Sequence, residues 1–185
     1  MKRLASTLDD AAGEAFDKAA KLLGLGFPGG PRIEAAAKKG DPGAYAWRKT
    51  CLPPDGTNFS FSGLKTAVLY AARDRAGRKG PLLLDEKGVA DAAASFQEAV
   101  AHALATRTMR AADECRVGWL ALGGGVAANG YLRNRMREEA AKRGLRVAIP
   151  PMSLCTDNAV MIAARGAALY DAGVRDGLDL ETAAR

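Results

Sequence analysis

Apolar positions along this chain recur mostly three and four residues apart, so the pattern predicts helices more often than strands. Phe16, Ala20 and Leu23 share one face of a helix that Asp9 or Asp10 can cap and that runs to about Leu23. Gly24 and Gly26 end it, and Phe27-Pro28-Gly29-Gly30-Pro31 is a turn. Pro31 suits the first position of a short second helix through Ala37. From Gly40 to Gly56 the chain is rich in Gly, Pro and Asp and reads as an irregular connection. Asn58-Phe59-Ser60-Phe61-Ser62 alternates polar and apolar, which predicts a strand. Ser62 or Gly63 then opens a helix to about Arg78, and Gly80-Pro81 breaks it. Val89 to about Glu114 is a long helix with Phe96, Val100 and Leu104 on one face. His102 lies off that face, one turn from Glu98, at a surface or rim position.

The second half of the chain changes period. Val117–Leu122 is a short apolar run, as expected of a strand covered on both faces. Arg146–Ile149 is a second strand, ended by Pro150-Pro151, and a helix from about Asn129 to Lys142 separates the two. A strand–helix–strand unit of this length predicts a parallel pair with a right-handed crossover. Thr156 or Asp157 opens a last helix with Val160, Ala164 and Ala167 inward, and the tail after Gly173 is polar and frayed. Six helices thus accompany two strands and one short alternating stretch. Helices must cover both faces of something, and two parallel strands are a poor core. The expected fold is therefore a helix-rich α/β lobe with an incomplete parallel or mixed sheet, its further strands upstream or on another chain.

Composition narrows the class. The chain has 185 residues, 48% apolar and 26% charged, enough for one globular domain. No apolar run approaches bilayer length, and Met1-Lys2-Arg3-Leu4-Ala5-Ser6 has too short an apolar part for a secretion signal, so a cytoplasmic location is expected. Cys51, Cys115 and Cys155 are odd in number and far apart, which fits reduced thiols and no zinc ribbon. The net charge, 27 − 21 = +6, permits an anionic partner such as RNA without demonstrating one. Arg73, Arg75, Arg78 and Lys79 form the densest basic cluster, which by itself reads as a solvated helix end. His102 is the only histidine, so this chain cannot complete a mechanism that needs two.

The stretch Leu120-Ala121-Leu122-Gly123-Gly124-Gly125-Val126-Ala127-Ala128-Asn129-Gly130 is the end of a strand, a glycine turn and a helix start. Glycines permit left-handed angles and close approach to a ligand. A helix N-terminus offers unpaired N–H groups and a positive dipole end to an anion. Asn129 stands where either a side-chain cap or a ligand contact belongs. A tight connection with no ligand is the alternative, and the turn alone does not separate the two.

Several separated motifs occur in order: Thr7–Lys18, Phe27-Pro28-Gly29-Gly30-Pro31, Phe59-Ser60-Phe61-Ser62-Gly63-Leu64-Lys65-Thr66, Gly123–Asn129, and Ser153-Leu154-Cys155-Thr156-Asp157-Asn158. Together they closely resemble the C-terminal half of the tRNA threonylcarbamoyladenosine transferase family, formerly described as O-sialoglycoprotein endopeptidases. The resemblance runs from Leu8 to about Tyr170 and makes residues 1–185 a single C-terminal lobe with a tail from 174. It implies part of an actin/hexokinase/Hsp70-like ATPase fold. It implies transfer of a threonylcarbamoyl group from threonylcarbamoyl-AMP to an adenosine beside the tRNA anticodon. It also implies a divalent metal, iron before zinc, held by two histidines of a His-x-x-x-His motif and an aspartate. The implied partners are tRNA, the adenylate or another adenine nucleotide, the N-terminal half, a paralogous subunit and an associated ATPase, with no membrane.

By that resemblance Asp157 looks like the aspartate metal ligand; its alternative is a helix N-cap. Asn129 with Gly124 and Gly125 looks like the nucleotide site. Asp17 and Glu34 look like ribose-contacting carboxylates; the alternative for Asp17 is an i,i+4 pair with Lys21 worth about 0.3–0.5 kcal/mol. Gly30 looks like a close-approach glycine against the adenosine; its alternative is a plain turn. Lys65 either pairs with phosphate or faces solvent. The His-x-x-x-His motif and the glycine-rich loop ahead of the first helix are not in this chain. The chain by itself is therefore expected neither to hold the metal tightly nor to catalyse the transfer. Two other readings stay open: a non-catalytic dimerisation or interaction module of the same complex, and another ATP-using enzyme of the same fold, such as a sugar kinase.

Overall fold

Alanine is the commonest residue of the longest helix, and its small side chain lets four neighbours pack against one rod. The computed structural model describes residues 2–53, 56–73 and 80–177. Within them α1 is Ala12–Leu22, α2 Gly29–Ala37, α3 Ser62–Ala72, α4 Glu86–Cys115, α5 Gly130–Ala141 and α6 Ala159–Asp171. Asp85 caps α4 by accepting the Gly88 N–H at 2.7 Å, and Arg116, in the left-handed region, ends it. Ala92, Ala93, Phe96, Ala99 and Ala103 are buried against α1, α2 and α3, with the Phe16 ring edge-on to Phe96 at 5.1 Å. Ala101, Ala105 and Met109 are buried against Leu132, Met136 and Ala140 of α5. The core therefore sits on two sides of α4, so both sides of the helix are apolar rather than the one face its pattern suggested.

Local chemistry moved several boundaries. Helix α2 begins at Gly29, two residues before Pro31; Pro31 still lies in the first turn, where a missing N–H costs nothing. Neither Asp9 nor Asp10 caps α1, whose N-cap is Ala11 with Glu14 reaching back to its N–H. Asp9 instead accepts from the Ser60 hydroxyl at 2.6 Å, the Ser62 hydroxyl at 2.7 Å, and the N–H groups of Phe61 at 2.8 Å and Ser62 at 3.2 Å. With that backbone committed to a carboxylate, Asn58–Ser62 forms no strand, only a single parallel bridge from Thr7 to Phe59. Burial works against the charged form of Asp9, but these four donors outweigh it and hold the carboxyl at about 2. Asp10 pairs with Lys18 at 2.7 Å and Lys65 at 3.2 Å, so Lys65 has a carboxylate partner. Helix α3 stops at Ala72, because Arg73 turns extended and bridges Leu82. Arg75, Arg78 and Lys79 of the basic cluster lie outside the described residues.

Strands β1 (Trp119–Ala121) and β2 (Arg146–Ala148) pair in parallel, with α5 between them in sequence and Leu120 opposite Val147. The expectation of burial on both faces fails. Leu120 and Val147 pack toward α5, whereas Trp119, Ala121, Arg146 and Ala148 are exposed. Helix α6 likewise buries nothing, and Val160, Ala164 and Ala167 all face outward. The period of α6 is real, but among the described residues nothing covers its apolar side.

One buried charge joins the halves of the core. Glu98 is fully buried on α4; Arg48 Nε stands 2.8 Å from Oε1, Arg135 Nη2 3.8 Å from it, and the Tyr131 hydroxyl donates to Oε2 at 2.6 Å. Burial, reinforced by that carboxylate, pushes the Tyr131 phenol up to about 12. His102, partly buried beside this group, is pushed down by burial and then by the Arg135 charge. The thiols of Cys51, Cys115 and Cys155 are free, and burial lifts that of Cys51 to about 12.

Glu98→Ala removes the carboxylate shared by Arg48, Arg135 and the Tyr131 hydroxyl, and urea unfolding of that variant should show a loss of about 1–3 kcal/mol. Because Asp9 titrates below its ordinary 3.8, its ionised form favours the folded state above about pH 4, and that contribution fades as pH falls toward 2. The stability gap between the parent and Asp9→Asn should therefore be flat from neutral pH to about 5 and shrink between 4 and 2; a gap independent of pH would contradict the assigned hydrogen bonds.

Candidate functional site

Strand β1 delivers the glycine turn to the edge of a cleft. The pairing runs on as Leu122 N–H donates to Ala148 O at 2.9 Å, and the chain then leaves the sheet. Of Gly123, Gly124 and Gly125, only Gly124 takes a positive φ, +85°, so it is the position that requires glycine. A 3-10 turn, Gly125–Ala128, intervenes before α5 begins. Opposite it stand α1 and the Phe27–Pro31 turn that opens α2. Between them is a cavity of about 560 Å³, with Phe16, Val126 and Met152 among its apolar walls and Asp17, Glu34, Asn129 and Thr156 as its polar groups. Cavities of this size hold small organic ligands.

Asn129, Glu34 and Asp17 are each fixed by a helix start. Asn129 is the N-cap of α5: its Oδ1 accepts the Leu132 N–H at 2.9 Å and its Nδ2 donates to Gln97 Oε1 at 2.8 Å. Glu34 Oε1 accepts the Gly130 N–H at 3.1 Å. The anion expected at this helix N-terminus is thus the protein's own carboxylate, and two of the N–H groups expected to be free are occupied. Asp17 makes no pair with Lys21; its Oδ1 accepts the Gly29 N–H at 2.7 Å, which places it at the start of α2. Among the described residues the second oxygens of Asp17 and Glu34 have no protein donor, and they remain available as acceptors.

The glycine of closest approach is Gly29. A Cβ there would lie 2.4 Å from Asp17 Cα and 2.6 Å from Phe16 O, so α2 starts hard against α1. A Cβ on Gly30 meets nothing within 4 Å, and that residue lines the cavity itself. Asp17, Gly30, Glu34, Gly125 and Asn129 therefore meet at one cavity. Gly124 shapes the turn without lining it, and Asp157 is exposed one residue beyond the wall residue Thr156. Asp157 is not a helix cap either, because Asn158 fills that place by accepting the Met161 N–H at 3.0 Å.

Three contributors escaped the sequence pattern. Gln97, buried on α4, orients Asn129; a polar residue amid that alanine-rich run was the available signal. Gly29 was read as part of a plain turn. Arg133 carried no pattern, yet it donates to Ala127 O at 2.5 Å, Pro150 O at 2.8 Å and Cys155 Sγ at 2.9 Å, and so ties the loop before Asp157 to the glycine turn.

The described residues do not fit a metal ion by themselves. They contain no group of three or more His, Cys, Asp or Glu placed to share one, and Asp157 stands in solvent as a lone carboxylate.

A family model described as tRNA N6-adenosine threonylcarbamoyltransferase matches residues 1–164. Curated relatives carry the same description. That of Symbiobacterium thermophilum is 53% identical over 184 residues, which cover 97% of this chain and 51% of the relative. That of Paracoccus denitrificans is 51% identical, covering 96% of this chain and 49% of the relative. That of Thermosipho africanus is 46% identical, covering 96% and 52%. The chain spans about half the length of the curated relatives it matches.

Adjacent substitutions separate packing from cavity lining. Gly29→Ala should force α1 and α2 apart and lower stability by about 1–3 kcal/mol in denaturant unfolding. Gly30→Ala should leave stability within about 0.5 kcal/mol of the parent while narrowing the cavity. Equal losses at the two positions would contradict the assigned approach.

Proposed function

The chain belongs to the tRNA N6-adenosine threonylcarbamoyltransferase family, and from that premise we propose that its cavity takes the adenosine end of threonylcarbamoyl-AMP. The observation that carries the reading is the convergence of Asp17, Glu34 and Asn129 on one apolar-walled cavity, each held by a helix start. The free carboxylate oxygens of Asp17 and Glu34 accept the ribose hydroxyls, Gly30 admits the nucleoside to the wall, and Phe16 and Val126 give the base an apolar surface. Asn129, with both ends of its amide engaged, shapes the wall rather than reaching for the ligand. Gly124 and Gly125 set the turn that closes the site.

The reaction proposed for the complete protein is acyl transfer in tRNA modification. The exocyclic amine of an adenosine next to the anticodon forms a C–N bond to the carbamoyl carbon, the bond to the adenylate phosphate breaks, and AMP and a proton leave. This chain supplies the nucleotide wall as the C-terminal half of an actin/hexokinase/Hsp70-like enzyme. Asp157 is proposed as one ligand of a divalent metal, iron in preference to zinc, in the company of two histidines from the N-terminal half. The further partners proposed are tRNA, a paralogous subunit and an associated ATPase, in the cytoplasm. No helix of the described residues is long and apolar enough to cross a membrane. A second reading, a non-catalytic interaction module, draws on the exposed apolar side chains of Trp119, Val160, Met161 and Ile162. Binding of the adenylate separates the two readings, since a scaffold has no use for the carboxylate pair.

AMP titrated into the chain and followed calorimetrically should bind at this cavity. Glu34→Gln, which keeps an acceptor for the Gly130 N–H, should weaken AMP about tenfold or more through loss of a charged acceptor. Absence of AMP binding, or binding indifferent to Glu34, would sink the reading.

A further inference from the structure

Behind one wall of the adenosine cavity lies a second hollow, of about 410 Å³, between α2, α4 and the start of α5. Glu34 borders both. The wall there is thin: Glu34 Oε1 accepts the Gly130 N–H at 3.1 Å, and a Cβ on Gly130 would lie 2.9 Å from that same oxygen. Three features of this hollow point to a ligand. Gln97 reaches it from α4 and is only 5% exposed. Its Oε1 accepts from Asn129 Nδ2, whereas its Nε2 has no acceptor among the described residues. A buried amide donor is costly to leave unpaired. Glu34 on α2 and Lys38 at its C-cap stand one turn apart, acid before base, in the order that favours an ion pair. They do not pair: Glu34 is turned to Gly130, and Lys38, exposed at the rim, has no carboxylate partner among the described residues. Ala37, Pro42, Ala94 and Tyr131 supply the apolar sides. The Tyr131 hydroxyl is committed to Glu98 at 2.6 Å, so that residue gives the hollow its ring.

We propose that this hollow binds a free α-amino acid with an apolar side chain. A carboxylate and an ammonium group held apart, with an amide donor at the buried end, complement a molecule that carries both charges on one carbon. The ligand's ammonium group sits at Glu34, its carboxylate takes the Gln97 Nε2 and the Lys38 ammonium, and its side chain lies among Ala37, Ala94 and the Tyr131 ring. A molecule with one sign of charge leaves either Glu34 or Lys38 unmatched. Glu34 is also the group that this site shares with the cavity, and an ammonium beside it draws on the charge offered to the ribose. Bound amino acid should therefore weaken adenylate binding, a coupling that rests on the reading of the cavity as an adenylate site.

L-Leucine titrated calorimetrically into the chain tests the site. It should bind, and leucinamide, which lacks the carboxylate, and N-acetyl-L-leucine, which lacks the ammonium group, should each bind about tenfold more weakly or worse. Lys38→Ala should weaken leucine about two- to fivefold, and Lys38→Arg should restore it. Lys38 is exposed and lies outside the cavity, so AMP affinity should not change in either variant. Saturating leucine should raise the dissociation constant of AMP about fivefold or more, and AMP should raise that of leucine by the same factor. No leucine binding, or equal binding of leucine and its two derivatives, overturns the site. AMP binding without leucine binding overturns the site alone, and leucine binding that follows Lys38 without AMP binding overturns the cavity reading alone. Binding of both with no mutual effect overturns the shared role of Glu34.

Discussion

Two carboxylates seated on the opening turns of neighbouring helices hold this cleft in shape. Asp17, on α1, receives the first N–H of α2, and Glu34, on α2, receives the first N–H of α5. Each places a negative charge at a positive dipole end, an arrangement worth about 0.3–1 kcal/mol at exposed sites and up to about 2 where partly buried. Their larger effect is geometric. The contacts form a relay from α1 to α2 to α5, and the Asn129–Gln97 bond carries it on to α4. Four helices are thereby set against one another beside a single cavity. Each carboxylate spends one oxygen on this task and keeps the other, so the groups that shape the wall are also the groups that can receive a ligand.

The helices were legible because their apolar period is set by burial against a neighbour, and α1, α2, α4 and α5 all have one. Their ends were less so. Asp9 and Asp10 stand where caps belong, but the donors to Asp9 come from Ser60, Phe61 and Ser62, some fifty residues on, and Asp10 is taken up by the side chains of Lys18 and Lys65. The same holds in the site. The family resemblance pointed to Asp17, Gly30, Glu34 and Asn129, and all four line one cavity, yet the hydrogen bonds of the two carboxylates run to backbone groups that no spacing rule identifies. Gly29 and Gly30 make the point most sharply, because both are glycines in one turn and only the helix behind distinguishes a contact from an opening.

The sheet shows the reverse limit. Val117–Leu122 has the composition of a buried strand, and α6 has the period of a packed helix, but composition states what a segment favours and not what covers it. Trp119 on β1 and Val160, Met161 and Ile162 on α6 are exposed among the described residues. Such exposed apolar side chains, on a family member that spans about half its relatives' length, are where the fold's layer rule is left unmet.

Arg133 has a mechanical implication. One planar guanidinium rivets the turn at Ala127, the strand exit at Pro150 and the sulfur of Cys155. Moving any one of these three segments by itself breaks a hydrogen bond to the other two through that side chain. A shift of the turn would carry the Cys155–Asn158 loop with it like a crank, moving the aspartate there without any contact between that residue and whatever displaced the turn.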